Sequence, residues 1–179
     1  PEGARIGTSS LRRAAQLRHK RPDLKIVEFR GNVATRLKKL EQGVADATLL
    51  AMAGLNRLGK ASEAASLLDP LEFPPAPAQG AVSIETRLTD RRTRSLIAPL
   101  NDRQTSQGVV AERAMLKKID GSCRTPIGVF SRFDGGKLLI NAQILSLDGK
   151  ECFTAVASGR ADDSLDIGRE VARQLIAAA

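Results

Sequence analysis

The sequence predicts an α/β chain: a strand–helix domain on a mostly parallel sheet, followed by a small α+β domain with a three-stranded antiparallel sheet and helices. Three observations lead there. The apolar pattern switches between strand and helix periods along residues 4–58. A proline-rich break follows at 73–81. Three strand-like runs separated by Asp-Gly turns then precede an amphipathic C-terminal segment.

Residues 4–8 form the first expected strand. Residues 11–19 follow as a helix with Ser10 placed to cap it, and 25–29 as the second strand. Val33, Leu37 and Leu40 recur at helical spacing, which sets a helix over 33–42 with Gly43 as its stop. Residues 46–51 make the third strand and 53–58 a short helical piece. Strands alternating with helices of this length pair in parallel, and such sheets bind ligands outside the carboxyl ends of their strands. The segment Phe73-Pro74-Pro75-Ala76-Pro77-Ala78-Gln79-Gly80-Ala81 suits neither helix nor central strand and is read as a linker or hinge. Residues 82–86 are expected as a strand, 90–100 as a helix capped by Asp90, and 106–119 as a helix ended by Asp120-Gly121. Residues 127–133, 137–147 and 151–157, joined at Asp134-Gly135-Gly136 and Asp148-Gly149, predict an antiparallel meander. A last helix over 164–177 would cover one face of it through Leu165, Gly168, Val171, Ala172, Leu175 and Ile176.

Charge is distributed unevenly over this frame. Residues 1–60 carry 13 Lys or Arg against 5 Asp or Glu, and the rest of the chain is balanced, so the whole formal charge of +8 sits in the first third. Eight of those cations are arginines, whose planar forks grip carboxylates and phosphates bidentately. Arg12 and Arg13 follow the first strand, Arg30 the second and Arg57 the third, while Arg36 lies in the first turn of the helix after Arg30. Adjacent arginines in the first turn of a helix oppose its dipole. An anion would reverse that sign. The hydroxyls of Thr8, Ser9 and Ser10, together with the free N–H groups of the helix start, complete a site for a carboxylate or phosphate. The plainer alternatives are a serine cap with two solvated arginines and, for the whole set, a solvated basic face. Nucleic acid is another partner for basic charge. Against it, Phe29 is the only aromatic of the stretch, and the chain has no Trp or Tyr to stack on bases.

At 179 residues and 42% hydrophobic content the chain can bury a core. No apolar run approaches the roughly 20 residues of a membrane span and no signal peptide opens it, so a cytoplasmic protein is expected. The start at Pro1-Glu2-Gly3, without methionine, fits a fragment, and N-terminal processing or a preceding segment would look the same. The two cysteines are too few for a disulfide framework, and a lone His19 gives no metal site, so none is expected. Cys123 lies in a loop bounded by Gly121 and Pro126, beside Arg124 and after Lys117 and Lys118. Those cations favour a thiolate, so a reactive thiol and a semi-buried structural cysteine both fit. Cys152 falls inside a strand pattern and fits the structural reading.

Six separated motifs together resemble the porphobilinogen deaminase, or hydroxymethylbilane synthase, family: Gly7-Thr8-Ser9-Ser10-Leu11-Arg12-Arg13; Arg21-Pro22-Asp23-Leu24; Arg30-Gly31-Asn32-Val33 with Thr35-Arg36-Leu37; Ala53-Gly54-Leu55-Asn56-Arg57-Leu58-Gly59; Gln79-Gly80-Ala81; and Gly121-Ser122-Cys123 with Pro126-Ile127-Gly128. The resemblance implies a transferase that joins four porphobilinogen units head to tail, with loss of ammonia, into hydroxymethylbilane for tetrapyrrole and heme biosynthesis. It implies a dipyrromethane cofactor on a thioether to Cys123, with cofactor and substrate carboxylates held by Thr8, Ser9, Ser10, Arg12, Arg13, Arg30, Asn32, Arg36 and Arg57. Gln79 would line the cleft. Porphobilinogen carries an acetate and a propionate, which accounts for the arginines.

The resemblance also implies a periplasmic-binding-protein-like, mixed-sheet fold for the first part. Residues 1–75 would be most of the second domain of three, 76–103 a hinge and a return segment of the first, and 104–179 the cofactor-attachment domain. The catalytic aspartate of the family would lie in an N-terminal portion that nothing in these residues matches. The expectation is therefore a chain inactive alone, completed by that portion, if need be as a separate chain, into a monomeric enzyme with porphobilinogen and the growing pyrrole chain as its ligands. A non-catalytic carboxylate-binding module on the same fold is the alternative, and the covalent state of Cys123 separates the two. A nucleic-acid binder would instead show steep salt dependence and indifference to Cys123.

Overall fold

In a computed structural model, residues 1–121 and 125–179 are described. The first unit is a parallel three-stranded sheet, β1 (Arg5–Gly7), β2 (Lys25–Val27) and β3 (Ala47–Thr48), in the order β2-β1-β3 with Ile6 between Ile26 and Ala47. Helices α1 (Leu11–Lys20), α2 (Val33–Glu41) and α3 (Met52–Arg57) follow the three strands in turn. The strand–helix alternation expected from sequence is thus present, with shorter strands. β2 stops at Val27 because the Phe29 N–H donates to Ser9 Oγ at 3.1 Å and its ring is fully buried. β3 pairs through two residues only, and beyond it the Leu49 carbonyl accepts from Arg13.

Residues 58–90 hold one turn of 3-10 helix and no strand. The strand expected at 82–86 is absent. A strand needs a partner edge, and here Val82 is 82% and Leu88 85% exposed, with Ile84 also exposed. Helix α4 (Arg91–Ile97) is capped as expected, Asp90 Oδ1 accepting from the Thr93 N–H at 3.0 Å, and passes into 3-10 turns ending at Leu100.

The second unit holds the main core. Helix α5 (Arg103–Ile119) starts three residues before the expected 106, because Asp102 Oδ1 accepts from the Thr105 N–H at 2.7 Å and caps it there. It ends with Asp120 itself in the left-handed conformation (φ 56), and the Gly121 N–H returns to the Leu116 carbonyl. Strands β4 (Ile127–Asp134), β5 (Lys137–Leu145) and β6 (Cys152–Arg160) form the antiparallel meander in sequence order. Helix α6 (Ser164–Ala178) packs with α5 over one face. Met115, Val129, Leu138, Ile140, Val171 and Leu175 are fully buried there, and a buried aliphatic side chain of this kind stabilises by about 1.5–3 kcal/mol. Of the expected face of α6, Gly168, Val171, Ala172 and Leu175 are buried, but Leu165 and Ile176 are exposed. Ile167 takes the inward place, on the i, i+4, i+8 row with Val171 and Leu175.

Two junctions bind the units together. The Pro75 carbonyl accepts from the Val129 N–H at 2.8 Å, extending the edge of β4. At the far end of α1, Arg18 Nη1 donates to the Leu147 carbonyl and His19 Nδ1 to the Gly149 carbonyl, both at 2.9 Å. His19 is exposed at a helix end, yet it anchors the β5–β6 turn.

Candidate functional site

Because β1, β2 and β3 run parallel, the segments leaving their carboxyl ends share one edge, and α1 and α2 both begin there. Neither helix has an acidic residue in its first turn. Ser10 caps α1: its backbone is extended and its Oγ accepts from the Arg13 N–H at 3.4 Å. Thr8 Oγ1 accepts from the Ser10 N–H at 3.2 Å, and Ser9 Oγ accepts from Phe29. Each hydroxyl accepts from backbone and keeps its own proton to donate. Asn32 caps α2, Oδ1 accepting from both the N–H and the hydroxyl of Thr35 at 2.9 Å.

Arg12 is only 7% exposed. Its Nη1 donates to Gln16 Oε1 at 2.7 Å and to the Pro74 carbonyl at 2.6 Å, and its Nη2 reaches Gln79 Oε1 at 3.4 Å. Gln16 Nε2 donates to the same Pro74 carbonyl at 2.9 Å. Arg13 Nη1 donates to the Leu49 carbonyl at 2.6 Å. Every one of these acceptors is neutral. Among the described residues no carboxylate pairs with either guanidinium. Burial first, then the neighbouring Arg13, pulls Arg12 down to about 10. Burial and then Arg36 lower Arg13. A buried and a half-buried cation with no counter-ion are costly unless an anion joins them, and hydrogen bonds to charged partners are the strong ones.

The other expected site residues lie farther out. Arg36 Nε donates to the Gly31 carbonyl at 2.9 Å and stands near enough to Arg13 to repel it. Arg30 pairs with Glu28 at 2.6 Å, with its side chain 80% exposed. Arg57 is exposed on the last turn of α3. Gln79 Oε1 also accepts from the Ala76 N–H at 3.4 Å. Cys123 lies outside the described residues, in the segment between α5 and β4. Cys152 is a half-buried free thiol in β6, and burial raises its pKa.

Gln16 was missing from the expected set. Its spacing of one helical turn from Arg12 was the available signal, whereas the Pro74 carbonyl, 62 residues away from Arg12, left none. Phe29, the one aromatic of the basic region, is sealed in the core and presents no stacking face. Among the described residues no cluster of three His, Cys, Asp or Glu could hold a metal ion, and no helix is long and apolar enough to cross a membrane.

The comparisons with known proteins are consistent along the chain. The family model described as "Porphobilinogen deaminase, dipyromethane cofactor binding domain" matches residues 1–95. That described as "Porphobilinogen deaminase, C-terminal domain" matches residues 107–177. Over 175 residues the chain is 51% identical to the porphobilinogen deaminase of Paracoccus denitrificans (strain Pd 1222), covering 98% of the chain and 56% of that relative. Over 176 residues it is 46% identical to the porphobilinogen deaminase of Syntrophobacter fumaroxidans (strain DSM 10017 / MPOB), covering 98% of the chain and 57% of that relative. The chain spans a little over half the length of these curated relatives.

Proposed function

The chain belongs to the porphobilinogen deaminase family, and from that premise we propose that it is the carboxylate-binding and primer-carrying part of a transferase of tetrapyrrole biosynthesis. The reaction condenses four porphobilinogen molecules head to tail, with release of ammonia, into hydroxymethylbilane. Residues 1–75 form most of the carboxylate-binding domain, 76–103 a hinge and return segment, and 104–179 the attachment domain. The working enzyme is a cytoplasmic monomer that also includes the portion its relatives have and this chain does not span.

One observation carries the reading: Arg12, buried, and Arg13, half-buried, stand beside a helix start and donate only to neutral acceptors. A porphobilinogen unit brings two carboxylates, and the donor set fits them. Arg12 and Arg13 hold the carboxylates of the dipyrromethane primer, and Ser10 donates its hydroxyl proton to one of them. Arg36, Asn32 and Arg30, at the start of α2, receive those of the incoming unit, with Arg57 beyond. Gln79 keeps Arg12 aimed across the hinge. Cys123 carries the primer through a thioether. When bound, the primer supplies the pyrrole carbon to which the first unit is joined. The residues described provide grip and charge compensation, and proton transfer is assigned to none of them.

Intact mass of the denatured chain, produced together with the remaining portion of a relative, tests this. An excess of two linked pyrrole units that disappears in Cys123→Ala is expected. An unmodified mass in the Cys123 protein overturns the primer-carrying role.

A further inference from the structure

We propose that Glu112, far from any carboxylate-binding residue in sequence, is a positioning residue for Arg12, acting through the turn at residues 76–79. Glu112 lies on α5, only 8% exposed, in the wall of a cleft of about 360 Å³ between the hinge and β4. Its carboxylate makes three short bonds and reaches across that cleft. Oε2 accepts from the Ala78 N–H at 2.6 Å. Oε1 accepts from the Ser131 N–H at 3.1 Å and from the Ser131 hydroxyl at 2.7 Å. One carboxylate thus ties the hinge turn to β4.

The turn it grips needs a grip. Ala78 sits at φ 60, a left-handed conformation in which a Cβ crowds the following carbonyl oxygen. Such strain persists only where surrounding contacts over-determine it. The contacts here are the Glu112 bond, the Gln79 N–H to the Ala76 carbonyl at 2.9 Å, and the Val129 N–H to the Pro75 carbonyl. The next residue after Ala78 is Gln79, whose Oε1 is the acceptor for Arg12 Nη2. The chain of contact therefore runs from Glu112 through Ala78 and Gln79 to Arg12. If the clamp is released, Ala78 can leave the left-handed region, Gln79 turns away, and Arg12 loses one of the three acceptors that fix its fork. Glu112 touches no ligand on this scheme.

The proposal rests on the carboxylate-site reading, and the test separates the two. Glutarate serves as a dicarboxylate probe on the full 179-residue chain, its affinity read from the Ser10 amide shift in NMR titrations. Exchange of the Arg12 Nη2–H protons, which bond Gln79, is followed alongside. Glu112→Gln, which keeps the shape but cannot accept from Ala78 and Ser131 with both atoms, should weaken glutarate binding about tenfold and speed Arg12 Nη2–H exchange. In an Arg12→Gln background the same change should alter affinity less than twofold, because its route is gone. Ser131→Ala, which leaves the Ala78 bond intact, should alter it less than twofold. Equal losses from Glu112→Gln with and without Arg12 mean that Glu112 acts through general stability, and overturn the proposal. If the wild-type chain binds no glutarate, the carboxylate-site reading fails. The exchange rate then decides the clamp alone, with unchanged Arg12 exchange in Glu112→Gln overturning it. Should Glu112→Gln not fold, Glu112→Asp, which keeps the charge and shortens its reach, is read in the same way.

Discussion

Arg12 Nη1 and the Pro74 carbonyl oxygen lie 2.6 Å apart, so the first turn of α1 is fastened to the hinge by the same guanidinium that lacks a counter-ion. Gln16 Nε2 donates to that carbonyl as well, at 2.9 Å. The hinge contact is therefore duplicated, and the buried charge is not needed to satisfy it.

Arg12→Leu should for this reason separate stability from binding. Pro74 keeps its Gln16 bond and removing an unpaired buried cation relieves desolvation, while the buried Gln16 Oε1 loses its donor, so unfolding free energy should fall by no more than about 1–2 kcal/mol. A charged hydrogen bond to a ligand carboxylate is worth about 1.5–3 kcal/mol, which is roughly a 10- to 150-fold loss of affinity. Urea unfolding and dicarboxylate titration of the same variant check both halves. A loss of several kcal/mol in stability with binding unchanged would reverse the assignment.

The other end of α1 gives a second prediction. Gly149 is buried at φ 78, and a Cβ there would lie 2.7 Å from the Arg18 Cβ and 2.8 Å from both the Ala15 carbonyl and the His19 nitrogen. Gly135, at φ 53, has open space around it. Gly149→Ala should cost about 2–4 kcal/mol, since backbone cannot step aside, while Gly135→Ala should cost about 1 kcal/mol for its dihedral alone. Thermal or urea unfolding of the pair measures the difference. Gly149→Ala should also free His19 Nδ1 from the Gly149 carbonyl, visible in the imidazole resonances.

These junctions mark what the sequence could and could not disclose. Strand–helix alternation, the Asp90 cap and the Asp-Gly turns are written in local pattern, and the structure has them. Asp102 was as legible as Asp90, but the apolar run begins later and drew the expected start of α5 to 106. Residues 82–86 alternate like a strand, and alternation reports only a preference for two faces; pairing is decided by a partner edge, which the described residues do not offer. The convergence of Arg12, Arg13 and Arg36 follows from parallel topology and was foreseeable. The burial of Arg12, its Pro74 contact and the Glu112 clamp arise between segments tens of residues apart, and no local spacing encodes them.

Acid should loosen the fold through its ion-paired and capping carboxylates. Two Arg21 nitrogens and the Gly3 N–H hold the Asp23 carboxylate well below its usual range, and Arg5 does the same for Asp46. Carboxylates with depressed folded pKa values stabilise fully above their unfolded value near 4, and that stability is lost as pH falls through the folded values. Urea midpoints followed from pH 6 down to pH 2 should hold until about pH 4 and then fall. Asp23→Asn should lower the plateau and flatten the decline. A midpoint that rises on acidification would contradict the ion-pair account.

Arg13 and Arg36 supply the last prediction, because the two repel and neither has a carboxylate to screen it among the described residues. Ligand carboxylates seated at the two would turn that repulsion into affinity. Without the ligand, Arg36→Met loses one exposed bond to the Gly31 carbonyl and sheds the repulsion, so the free chain should be unchanged or more stable by up to about 0.5 kcal/mol. With ligand, the variant should bind a dicarboxylate about tenfold more weakly and gain correspondingly less stability on saturation. Melting curves with and without glutarate read both effects in one experiment. The pH dependence of the gain should follow the charge on Arg12, persisting at neutral pH and declining as pH rises toward the value of about 10 to which Arg12 is depressed. A variant that binds as tightly as the parent would remove Arg36 from the carboxylate site and leave that role to Arg12 and Arg13.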